Sequence, residues 1–453
     1  MIRLHDTATG TVRPLELREQ GAVSMYVCGP TVYDVPHLGH GRFVLVFDVL
    51  RRYLAWSGYR VRYVSNITDV DDNIINRANR ERRTEAEVAA QFEAVWYEAV
   101  DALGVLRPDA DPHATAFVER MVAVIGDLVD AGVAYRTDDG VYLDVARVEG
   151  YGLLARQSLE SLQAGARVEV DDQKRSGSDF ALWKAAKPNE PAWPSPWGQG
   201  RPGWHTECVV MSLDLLGEDF DLHGGGQDLA FPHHENERAQ AVALGRRFAR
   251  HWVHNGWVVV EGEKMSKSLG NFTSLTDLLE RVDGRAYRLL VLRSHYRSPL
   301  EVTPATTADA AAALERLDNL SLRDDEAGLD GAEPDEDALA RFRSAMDDDL
   351  DTPAAMALLF DLVRRANAAL DADRRVEAAP LVAAVREIAG AVGLAVGVPA
   401  AAVDDESAAL VARRDAARKA RDWATADAAR KQLEAAGWLV EDTPGGTRVR
   451  RAR

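Results

Sequence analysis

An alternation of strand and helix patterns near the N-terminus constrains the fold of this chain more than any other feature. Residues 25–28 form a short apolar strand pattern that ends at Gly29 and Pro30. Apolar side chains then recur at helical spacing from about residue 38 to 57, and residues 61–64 form a second strand pattern. A β-α-β order favours a parallel sheet, whose ligands bind at the carboxyl ends of the strands.

The rest of the chain divides into further segments, because 453 residues exceed the usual size of one domain. Prolines between residues 184 and 202 exclude a regular helix there and indicate a connection packed on the surface. Beyond about residue 305 the pattern is helical, except at 324–337, where eight acidic residues without a basic one predict a solvated linker. We expect one helix from about 405 to 435, followed by a strand pair that ends at residues 445–446.

Composition and charge exclude several classes of protein. With 46% hydrophobic and 28% charged residues, the chain has the composition of an ordinary globular protein. Its apolar runs fall short of the about 20 residues that cross a bilayer, and no apolar signal segment begins it, so we expect a cytoplasmic protein without a membrane partner. The net charge of −18 argues against nonspecific nucleic-acid binding, although residues 413–453 carry 11 basic and 6 acidic side chains.

Cysteine usage points away from disulfides. The only two cysteines, Cys28 and Cys208, stand 180 residues apart, which excludes a disulfide framework. Both lie beside strand-end or glycine-rich segments, where ligands are usually presented. A metal site or a chemical role for the pair is therefore a hypothesis to test.

A histidine and a glutamate four residues apart could complete such a metal site. On a helix, His233 and Glu237 share one face, whereas His234 and Glu235 would point away from it. Together with the cysteines, these two side chains would form a tetrahedral zinc site. The competing interpretation is a surface His–Glu pair, with Cys208 simply buried in the core.

Two further segments suit phosphate. His37 and His40, around Gly39, open the first long helix, where free N–H groups and the helix dipole attract anions. Lys264 and Lys267 lie three residues apart in a Ser- and Gly-containing loop and could neutralise a polyphosphate. The competing interpretations are capping or core histidines and a solvated charged turn. Neither a P-loop nor a GxSxG motif is present.

Taken together, these segments resemble the class I aminoacyl-tRNA synthetases, and in particular their cysteinyl branch. HLGH at 37–40 is similar to the HIGH signature with Leu in place of Ile, and residues 264–268 match the KMSKS signature. The cysteinyl branch is indicated by YVCGPT at 26–31, NITDVDD at 66–72, GWHTEC at 203–208 and FPHHENE at 231–237. The resemblance covers the whole chain. Its departures, Gly41 for a commoner alanine and Asn73 for a commoner lysine, touch no candidate ligand.

The resemblance implies one Zn²⁺ per chain, held by Cys28, Cys208, His233 and Glu237. Zinc prefers thiolate to hydroxyl, so the substrate L-cysteine would bind through its sulfur while serine would not. Such a site can reject its competitor by about 10⁴ to 10⁵ without editing. We therefore expect no editing domain.

The implied reaction has two steps. The cysteine carboxylate attacks the α-phosphate of ATP, accompanied by Mg²⁺, and the 3′-terminal ribose of tRNA(Cys) then takes the cysteinyl group. His37, His40 and Lys267 would bind ATP, the two histidines stabilising phosphate charge while Lys264 and Lys267 hold the leaving pyrophosphate. The resemblance also places Gly29, Thr31, Thr68 and Trp204 around the amino acid, although Trp204 could equally be a core aromatic.

The fold that the resemblance implies is α/β: a Rossmann-like parallel-sheet catalytic domain with an inserted connective element, followed by a helical bundle and a small C-terminal domain. The expected boundaries are 1–113 and 203–255 for the Rossmann-like domain, 114–202 for the connective insertion, 256–305 for a KMSKS-containing stem-contact region, 306–400 for the bundle and 401–453 for an anticodon-binding domain.

The basic C-terminal segment has a matching interpretation. Trp423 or Trp438 could stack on an unpaired tRNA base while the surrounding cations bind phosphate. The cations are Arg413, Arg414, Arg418, Lys419 and Arg421 on one helical segment, and Arg448, Arg450, Arg451 and Arg453 at the end of the chain. The competing interpretation is a solvated helix with a frayed basic tail.

Two other functions remain as alternatives. The cysteine ligase of mycothiol biosynthesis resembles the same core but transfers cysteine to an amino sugar; Glu237 and the basic C-terminal segment argue against it. A noncatalytic zinc-dependent RNA-binding protein would leave the histidine and lysine signatures unexplained. We expect a monomer, because no heptad or apolar stripe stands out.

Overall fold

The computed structural model describes most of the chain. The described residues are 1–157, 174–260, 263–264, 273–329, 331–397, 404–443 and 446–451. They form two compact units, the first made of Met1–Leu314 and Gly331–Ala395, the second of Glu315–Asp330 and Val396–Arg453.

The first unit begins with the β-α-β order predicted from the sequence. Its first elements are β1 (Arg3–Asp6), β2 (Thr11–Pro14), β3 (Ala22–Val27), α1 (Leu38–Trp56), β4 (Arg60–Ser65), α2 (Asp72–Glu81), α3 (Glu85–Ala102) and α4 (Val118–Asp130). β3 and β4 pair in parallel, with Met25 opposite Tyr63. Five of the six residues of β3 are buried, as expected for an inner strand of a parallel sheet.

An antiparallel sheet follows in the chain. It consists of β5 (Ala134–Arg136), β6 (Gly140–Leu143), β7 (Phe180–Ala185) and β8 (Gly200–Pro202), paired in that order. The proline-rich residues 186–199 connect β7 to β8 without a helix. Trp183 on β7 is buried and, with α4, contributes to the apolar core beneath this sheet.

The chain then returns to the parallel sheet. The elements are α5 (Trp204–Leu216), β9 (Leu222–Gly226), α6 (Glu235–Ala243) and β10 (His251–Asn255). The strand order is β10-β9-β3-β4, and all three pairings are parallel. The carboxyl ends of these strands consequently share one edge of the sheet. This arrangement, with helices between the strands, confirms the predicted α/β, Rossmann-like class.

A small sheet and a group of helices complete the first unit. The sheet has the order β12 (Glu263–Lys264), β11 (Val258–Val260), β13 (Leu300–Glu301). The helices are α7 (Leu275–Leu279), α8 (Gly284–Leu292), α9 (Pro304–Ala327), α10 (Glu336–Asp347), α11 (Thr352–Asp371) and α12 (Arg375–Ala391). Only the first part of α9 belongs to this unit, because its residues from Glu315 onward are assigned to the second. The prediction of a solvated linker over 324–337 is wrong at both ends: α9 continues to Ala327 with Asp324 buried, and α10 begins at Glu336, capped by Asp335.

The C-terminal part of the second unit contains two helices and a hairpin. These are α13 (Asp405–Lys419), α14 (Trp423–Ala435), β14 (Trp438–Thr443) and β15 (Gly446–Arg451), the strands being antiparallel. The single helix predicted over 405–435 is wrong, because Arg421 adopts a left-handed φ of 60° and Asp422 caps α14 through the N–H of Thr425. The strand pair also does not end at Gly446, where β15 begins. No helix within the described ranges has the length and apolar character needed to cross a bilayer.

Candidate metal and nucleotide site

A cavity of about 440 Å³ opens at the carboxyl ends of the parallel strands. Six of the twelve candidate site residues lie on its wall, together with Gly39: Cys28, Gly29, Thr31, His37, His40 and Trp204. β3, β9 and β10 each end at this wall, because Cys28 follows β3, Gly226 ends β9 and Asn255 ends β10. The site therefore stands where a parallel sheet is expected to bind its ligand.

Four candidate metal ligands converge beside this cavity. Sγ of Cys28 lies 3.5 Å from Sγ of Cys208 and 3.3 Å from Oε1 of Glu237, and Nε2 of His233 lies 3.0 Å from the same carboxylate oxygen. All four residues are buried. The interpretation of His233 and Glu237 as a surface pair is therefore wrong.

The donor set fits zinc in chemistry and in spacing. Two sulfurs, an imidazole nitrogen and a carboxylate oxygen are the ligands that zinc binds in proteins. All four donor atoms lie within 4.8 Å of one another. A tetrahedral ion with Zn–S bonds of about 2.3 Å would separate two sulfurs by about 3.8 Å, close to the observed spacing. Small outward movements of the four side chains would admit the ion.

The electrostatics of the cluster favour a cation. Burial and the neighbouring thiol raise the pKa of Cys28 well above its ordinary value. Burial alone would also raise the pKa of Cys208, but hydrogen bonds from Cys28 and His233 lower it to about 6. Burial alone would raise the pKa of Glu237, yet His223 and His233 hold it well below its usual range. Against the effect of burial, Glu237 and Cys208 raise the pKa of His233 to about 10. A proton on His233 thus offsets part of the negative charge of Cys208 and Glu237, and a bound cation would take over that role.

A second layer of side chains orients these donors. His223, on β9, contacts Oε2 of Glu237 through Nε2 at 2.7 Å, and Nδ1 of His233 contacts Nδ1 of His205 at 2.9 Å. Burial lowers the pKa of His205 well below its ordinary value, so its imidazole is neutral and can accept the proton of His233. Outer partners of this kind fix the direction of a ligand's donor atom.

The expectation that His234 points away from the cluster is wrong. Its Nε2 lies 4.0 Å from Oε1 of Glu237, and its Nδ1 lies 2.8 Å from Nε2 of His254. Residues 230–234 form a π-type segment with extended dihedrals at Phe231, so α-helical spacing does not apply to them. Glu235 does point away: its Oε2 accepts a hydrogen bond from the N–H of Leu154.

The residues expected around the amino acid occupy two layers. Gly29 donates its N–H to Oδ1 of Asn66 at 2.9 Å, and a Cβ at Gly29 would lie 1.7 Å from the Asn66 carbonyl oxygen, so only glycine fits there. Thr31 lines the cavity and forms a β-bridge with Thr68. Thr68 itself is buried, and its hydroxyl donates to Oε2 of Glu207 at 3.0 Å.

Trp204 is part of the cavity wall and not of the core. Its side chain is 38% exposed, and its ring stacks on the imidazole of His233 with centroids 4.0 Å apart. The alternative of a buried core aromatic is therefore wrong. An aromatic surface thus lies directly beside the metal-ligand cluster.

His37 and His40 cap the helix that carries them. The N–H of His40 donates to Nδ1 of His37 at 3.3 Å, and the N–H of His37 donates to Nδ1 of His40 at 3.2 Å, while the two rings stack with centroids 3.7 Å apart. Capping and a place on the cavity wall therefore coexist. The N–H of Leu275 donates to the carbonyl of Pro36, and Ser274 bridges to His37.

These contacts place the residues that follow the lysine segment against the start of α1. Of the two lysines, Lys264 is described only as a backbone position on β12, opposite Val259, and Lys267 lies outside the described residues. Their roles stay predictions.

The aromatic and basic side chains of the C-terminal segment differ in how far they are exposed for binding RNA. Trp438 is only 1% exposed and donates to Oγ of Ser407, so the prediction that it could stack on a base is wrong. Trp423 is 61% exposed. Arg414 and Arg418 form ion pairs with Asp442 at 2.7 and 2.6 Å. The exposed cations include Arg413 and Lys419 on α13 and Arg421 in the turn that follows it. For Arg448, Arg450 and Arg451 only the backbone is described, and Arg453 lies outside the described residues.

Three family models match successive parts of the chain. The model described as tRNA synthetases class I (C) catalytic domain matches residues 14–312. The DALR domain matches residues 341–396, and the cysteinyl-tRNA ligase anticodon binding domain matches residues 400–450.

Whole proteins and solved structures agree with these matches. The chain is 48% identical over 464 residues to a protein of Halorhodospira halophila named cysteine–tRNA ligase, and 49% identical over 462 residues to one of the same name from Thioalkalivibrio sulfidiphilus, in both cases over 100% of each chain. It also resembles the solved Mycobacterium tuberculosis methionyl-tRNA synthetase bound by methionyl-adenylate, with a TM-score of 0.63 and 15% identity over 89% of this chain and 96% of the other, a likeness of fold. The cavity, its ligand cluster and these full-length similarities agree, and the chain belongs to the cysteinyl-tRNA synthetase family of class I aminoacyl-tRNA synthetases.

Proposed function

We propose that the chain joins L-cysteine to the 3′ end of tRNA(Cys) in an ATP-dependent reaction that passes through a cysteinyl-adenylate. One observation carries the proposal: the cluster of Cys28, Cys208, His233 and Glu237 adjoins the cavity that His37 and His40 also line. A site for a thiol and a site for a nucleotide phosphate would then share one space, as the first step requires.

The four buried donors would hold one Zn²⁺ per chain. When bound, zinc supplies a soft Lewis-acid centre that accepts a thiolate as an additional ligand. His223 would keep Oε2 of Glu237 engaged, so that Oε1 faces the sulfur of Cys28. Because this chain would recognise its amino acid through an interaction that serine lacks, about 10⁴- to 10⁵-fold discrimination needs no editing site.

In the first step, an oxygen of the cysteine carboxylate would form a bond to the α-phosphorus of ATP while the bond to the bridging oxygen breaks. Pyrophosphate would leave, and Mg²⁺ accompanying the nucleotide would offset its charge. His37 and His40 stand at the N-terminus of α1 on the cavity wall and would stabilise the developing phosphate charge. Lys264 and Lys267 would neutralise the departing pyrophosphate.

The walls around the ligand cluster would position the amino acid. Gly29, Thr31 and Trp204 line the cavity, and the Trp204 ring beside His233 would pack against the short cysteine side chain. Thr68 would act from a deeper position through its hydrogen bond to Glu207.

In the second step, a ribose hydroxyl at the 3′ end of tRNA(Cys) would attack the activated carbonyl, and AMP would leave. The C-terminal unit would bind the tRNA through exposed cations such as Arg413, Lys419 and Arg421, with Trp423 available for base stacking. The similarity of residues 400–450 to an anticodon binding domain supports this assignment over an amino-sugar acceptor.

The test has two arms. We expect cysteine-dependent ATP–pyrophosphate exchange that serine does not support, and transfer of labelled cysteine to tRNA(Cys) but not to an amino sugar. Exchange without cysteine dependence would contradict the proposed substrate. Transfer to the amino sugar would instead support the mycothiol ligase, and absence of exchange would support a noncatalytic zinc protein.

A further inference from the structure

Arg42 is a buried cation whose side-chain partners are backbone oxygens. It lies on α1, two residues after His40, and is 1% exposed. Nη1 donates to the carbonyl of Trp257 at 2.6 Å. Nη2 donates to the carbonyls of His295 at 3.2 Å and Tyr296 at 3.1 Å and also to that of Ser298. No carboxylate of the described residues lies within ion-pair distance of this guanidinium.

Burying the Arg42 guanidinium without a carboxylate partner lowers the stability of the fold, so its presence calls for a functional reason. Removing a charge from water without an opposite charge is unfavourable, and carbonyl dipoles offset this only in part. Burial accordingly lowers the pKa of Arg42 to about 10. Apolar side chains of similar size often stabilise a buried site as well as ions do. Packing alone therefore does not explain a guanidinium at this position.

The carbonyls that Arg42 holds belong to two adjoining segments. Trp257 directly precedes β11, which pairs with β12 on one side and with β13 on the other. Residues 295–298 lead into β13, and the carbonyl of Trp257 also accepts the N–H of Leu300 on that strand. The segments are pressed together at Gly256, where a Cβ would lie 2.5 Å from the carbonyl oxygen of Arg297.

These segments form part of the cavity wall. Residues 255–258 line the same cavity as His37 and His40, and β12 carries Lys264. Arg42 thus connects α1, which carries the two histidines, to cavity-wall residue Trp257 and to residues 295–298, next to the small sheet that contains β12. The cysteine-binding cluster is supplied by other elements, namely the end of β3, α5, and the segment and helix around residues 233–237.

We infer that Arg42 is a positioning residue for ATP: through the carbonyls of residues 257 and 295–298 it fixes the distance between the α1 histidines and the opposing backbone wall of the nucleotide subsite. This inference rests on the proposed function, because that function assigns the cavity to ATP. Arg42 acts through the backbone and has no contact with the reacting atoms.

The test compares nucleotide binding with amino-acid binding in the full-length protein. Arg42→Met keeps an unbranched apolar stem but removes the charge and the hydrogen-bond donors of the guanidinium. We expect the KM for ATP in exchange, and the Kd of a nonhydrolysable ATP analogue by calorimetry, to rise about 10- to 100-fold, as for a displacement of about 1 Å. The KM for cysteine and the zinc content should stay within about twofold of wild type.

Three further variants separate positioning from general stability. Arg42→Lys keeps a cation and can restore one carbonyl contact, so it should recover part of the ATP affinity; in Arg42→Ala, added methylguanidinium should do the same. Arg52→Met is the matched control: Arg52 is on the same helix, and its Nε and Nη2 bind Asp48 and the carbonyl of Gly104. It should lower stability while leaving the KM for ATP unchanged.

The inference is overturned if Arg42→Met binds the analogue like wild type, loses ATP and cysteine affinity equally, or behaves like Arg52→Met. If Arg42→Met does not fold, unchanged ATP affinity in Arg42→Lys together with no methylguanidinium effect overturns it as well. Failure of the proposed function is a different result, since wild type would then show no cysteine-dependent exchange. A wild-type protein that binds no ATP analogue would contradict both.

Discussion

Two buried glutamates, Glu207 and Glu237, have pKa values that are shifted in opposite directions. Burial alone would raise the pKa of both, and it does raise that of Glu207 well above the ordinary value. At Glu237 the neighbouring His223 and His233 reverse this effect and hold the pKa well below it. Glu237 is therefore held as a carboxylate, while burial favours the protonated form of Glu207, which accepts a hydrogen bond from Thr68.

This difference predicts unequal effects of the same substitution. Glu237→Gln removes an anionic donor, so zinc affinity should fall by more than the about 10- to 100-fold typical of losing an outer-shell partner. Glu207→Gln keeps an oxygen that can accept from Thr68 and should retain zinc. Competition with a chromogenic chelator measures both affinities. Equal zinc affinity in the two variants would argue against Glu237 as a ligand.

Buried His251 predicts a dependence of stability on pH. Burial lowers its pKa to about 4 from the ordinary 6.5, despite the opposing effect of Asp6. Between these values the unfolded chain binds the additional proton, so stability rises with pH there. The free energy of unfolding should fall as pH decreases from about 6.5 towards 4, by up to about 1.4 kcal/mol per pH unit from this group.

Urea denaturation at several pH values checks this prediction. In His251→Gln the amide can still donate to the carbonyl of Leu4, which Nε2 of His251 contacts at 3.1 Å. The difference in stability between wild type and variant should therefore shrink at pH 5 relative to pH 7.5. A difference that does not vary with pH would show that His251 does not titrate in this way.

At this scale the sequence predicted the four donors but not their partners. His233 and Glu237 have a spacing that indicates a shared face, and two lone cysteines invite a metal. His223 stands alone on β9, 14 residues before Glu237, and its contact depends on how that strand pairs. Trp438 was wrongly predicted to be available for base stacking, because the local sequence is compatible with an exposed or a buried side chain. Its hydrogen bond to Ser407 joins residues 31 positions apart and is evident only from the structure.

At the scale of elements, the β-α-β pattern was readable because apolar periodicity and glycine stops agree over β3, α1 and β4. The break between α13 and α14 could not be predicted from the sequence, since residues 420–422 contain neither glycine nor proline. Its only local signal is Asp422 three residues before Thr425, a capping pattern that is common within helices too. The linker prediction over 324–337 failed at its second end for a related reason, because the start of a helix favours the same acidic residues that linkers favour, here Asp335, Glu336 and Asp337 at the start of α10.

A segment of the antiparallel region supports α6, the helix that carries Glu237. The Tyr151 hydroxyl donates to Oδ1 of Asn236 at 2.7 Å, the N–H of Leu154 donates to Glu235, and Arg238 donates to the carbonyl of Gly150. The residues on both sides of Glu237 are thus held from outside the helix. The sequence gives no spacing signal for a contact between segments some 80 residues apart.

Tyr151→Phe should therefore destabilise the protein locally. It leaves a buried acceptor on Asn236 without its donor, which costs about 1–3 kcal/mol of unfolding free energy. Amide hydrogen exchange should accelerate in α6 more than in α11. Tyr97→Phe is the control, because Tyr97 donates to Asp111 at an exposed site where water can replace it. Equal destabilisation by the two substitutions would contradict this support of α6.

At the scale of the whole molecule, charge is divided unevenly. The chain carries a net charge of −18, yet residues 413–453 have 11 basic and 6 acidic side chains. Part of that positive charge is neutralised internally, because Arg414 and Arg418 pair with Asp442. The second unit also includes residues 315–330, which the boundary expected at 401 does not contain. Discontinuous units of this kind have no marker in a local sequence pattern.

This uneven charge predicts that the two reaction steps respond differently to changes in the C-terminal unit. Replacing Arg413, Lys419 and Arg421 with Gln removes three exposed cations and should lower kcat/KM for tRNA, with a weaker salt dependence, because fewer phosphate contacts release fewer counterions. Deletion of residues 405–453 should lower tRNA charging by about 100-fold or more, as expected when an interaction worth several kcal/mol is lost.

Cysteine-dependent exchange should stay within about twofold of wild type in both proteins, since neither change touches the cavity. Parallel assays of exchange and charging at two salt concentrations decide the matter, and an equal loss of both activities would mean that this unit supports the catalytic fold and does not bind tRNA.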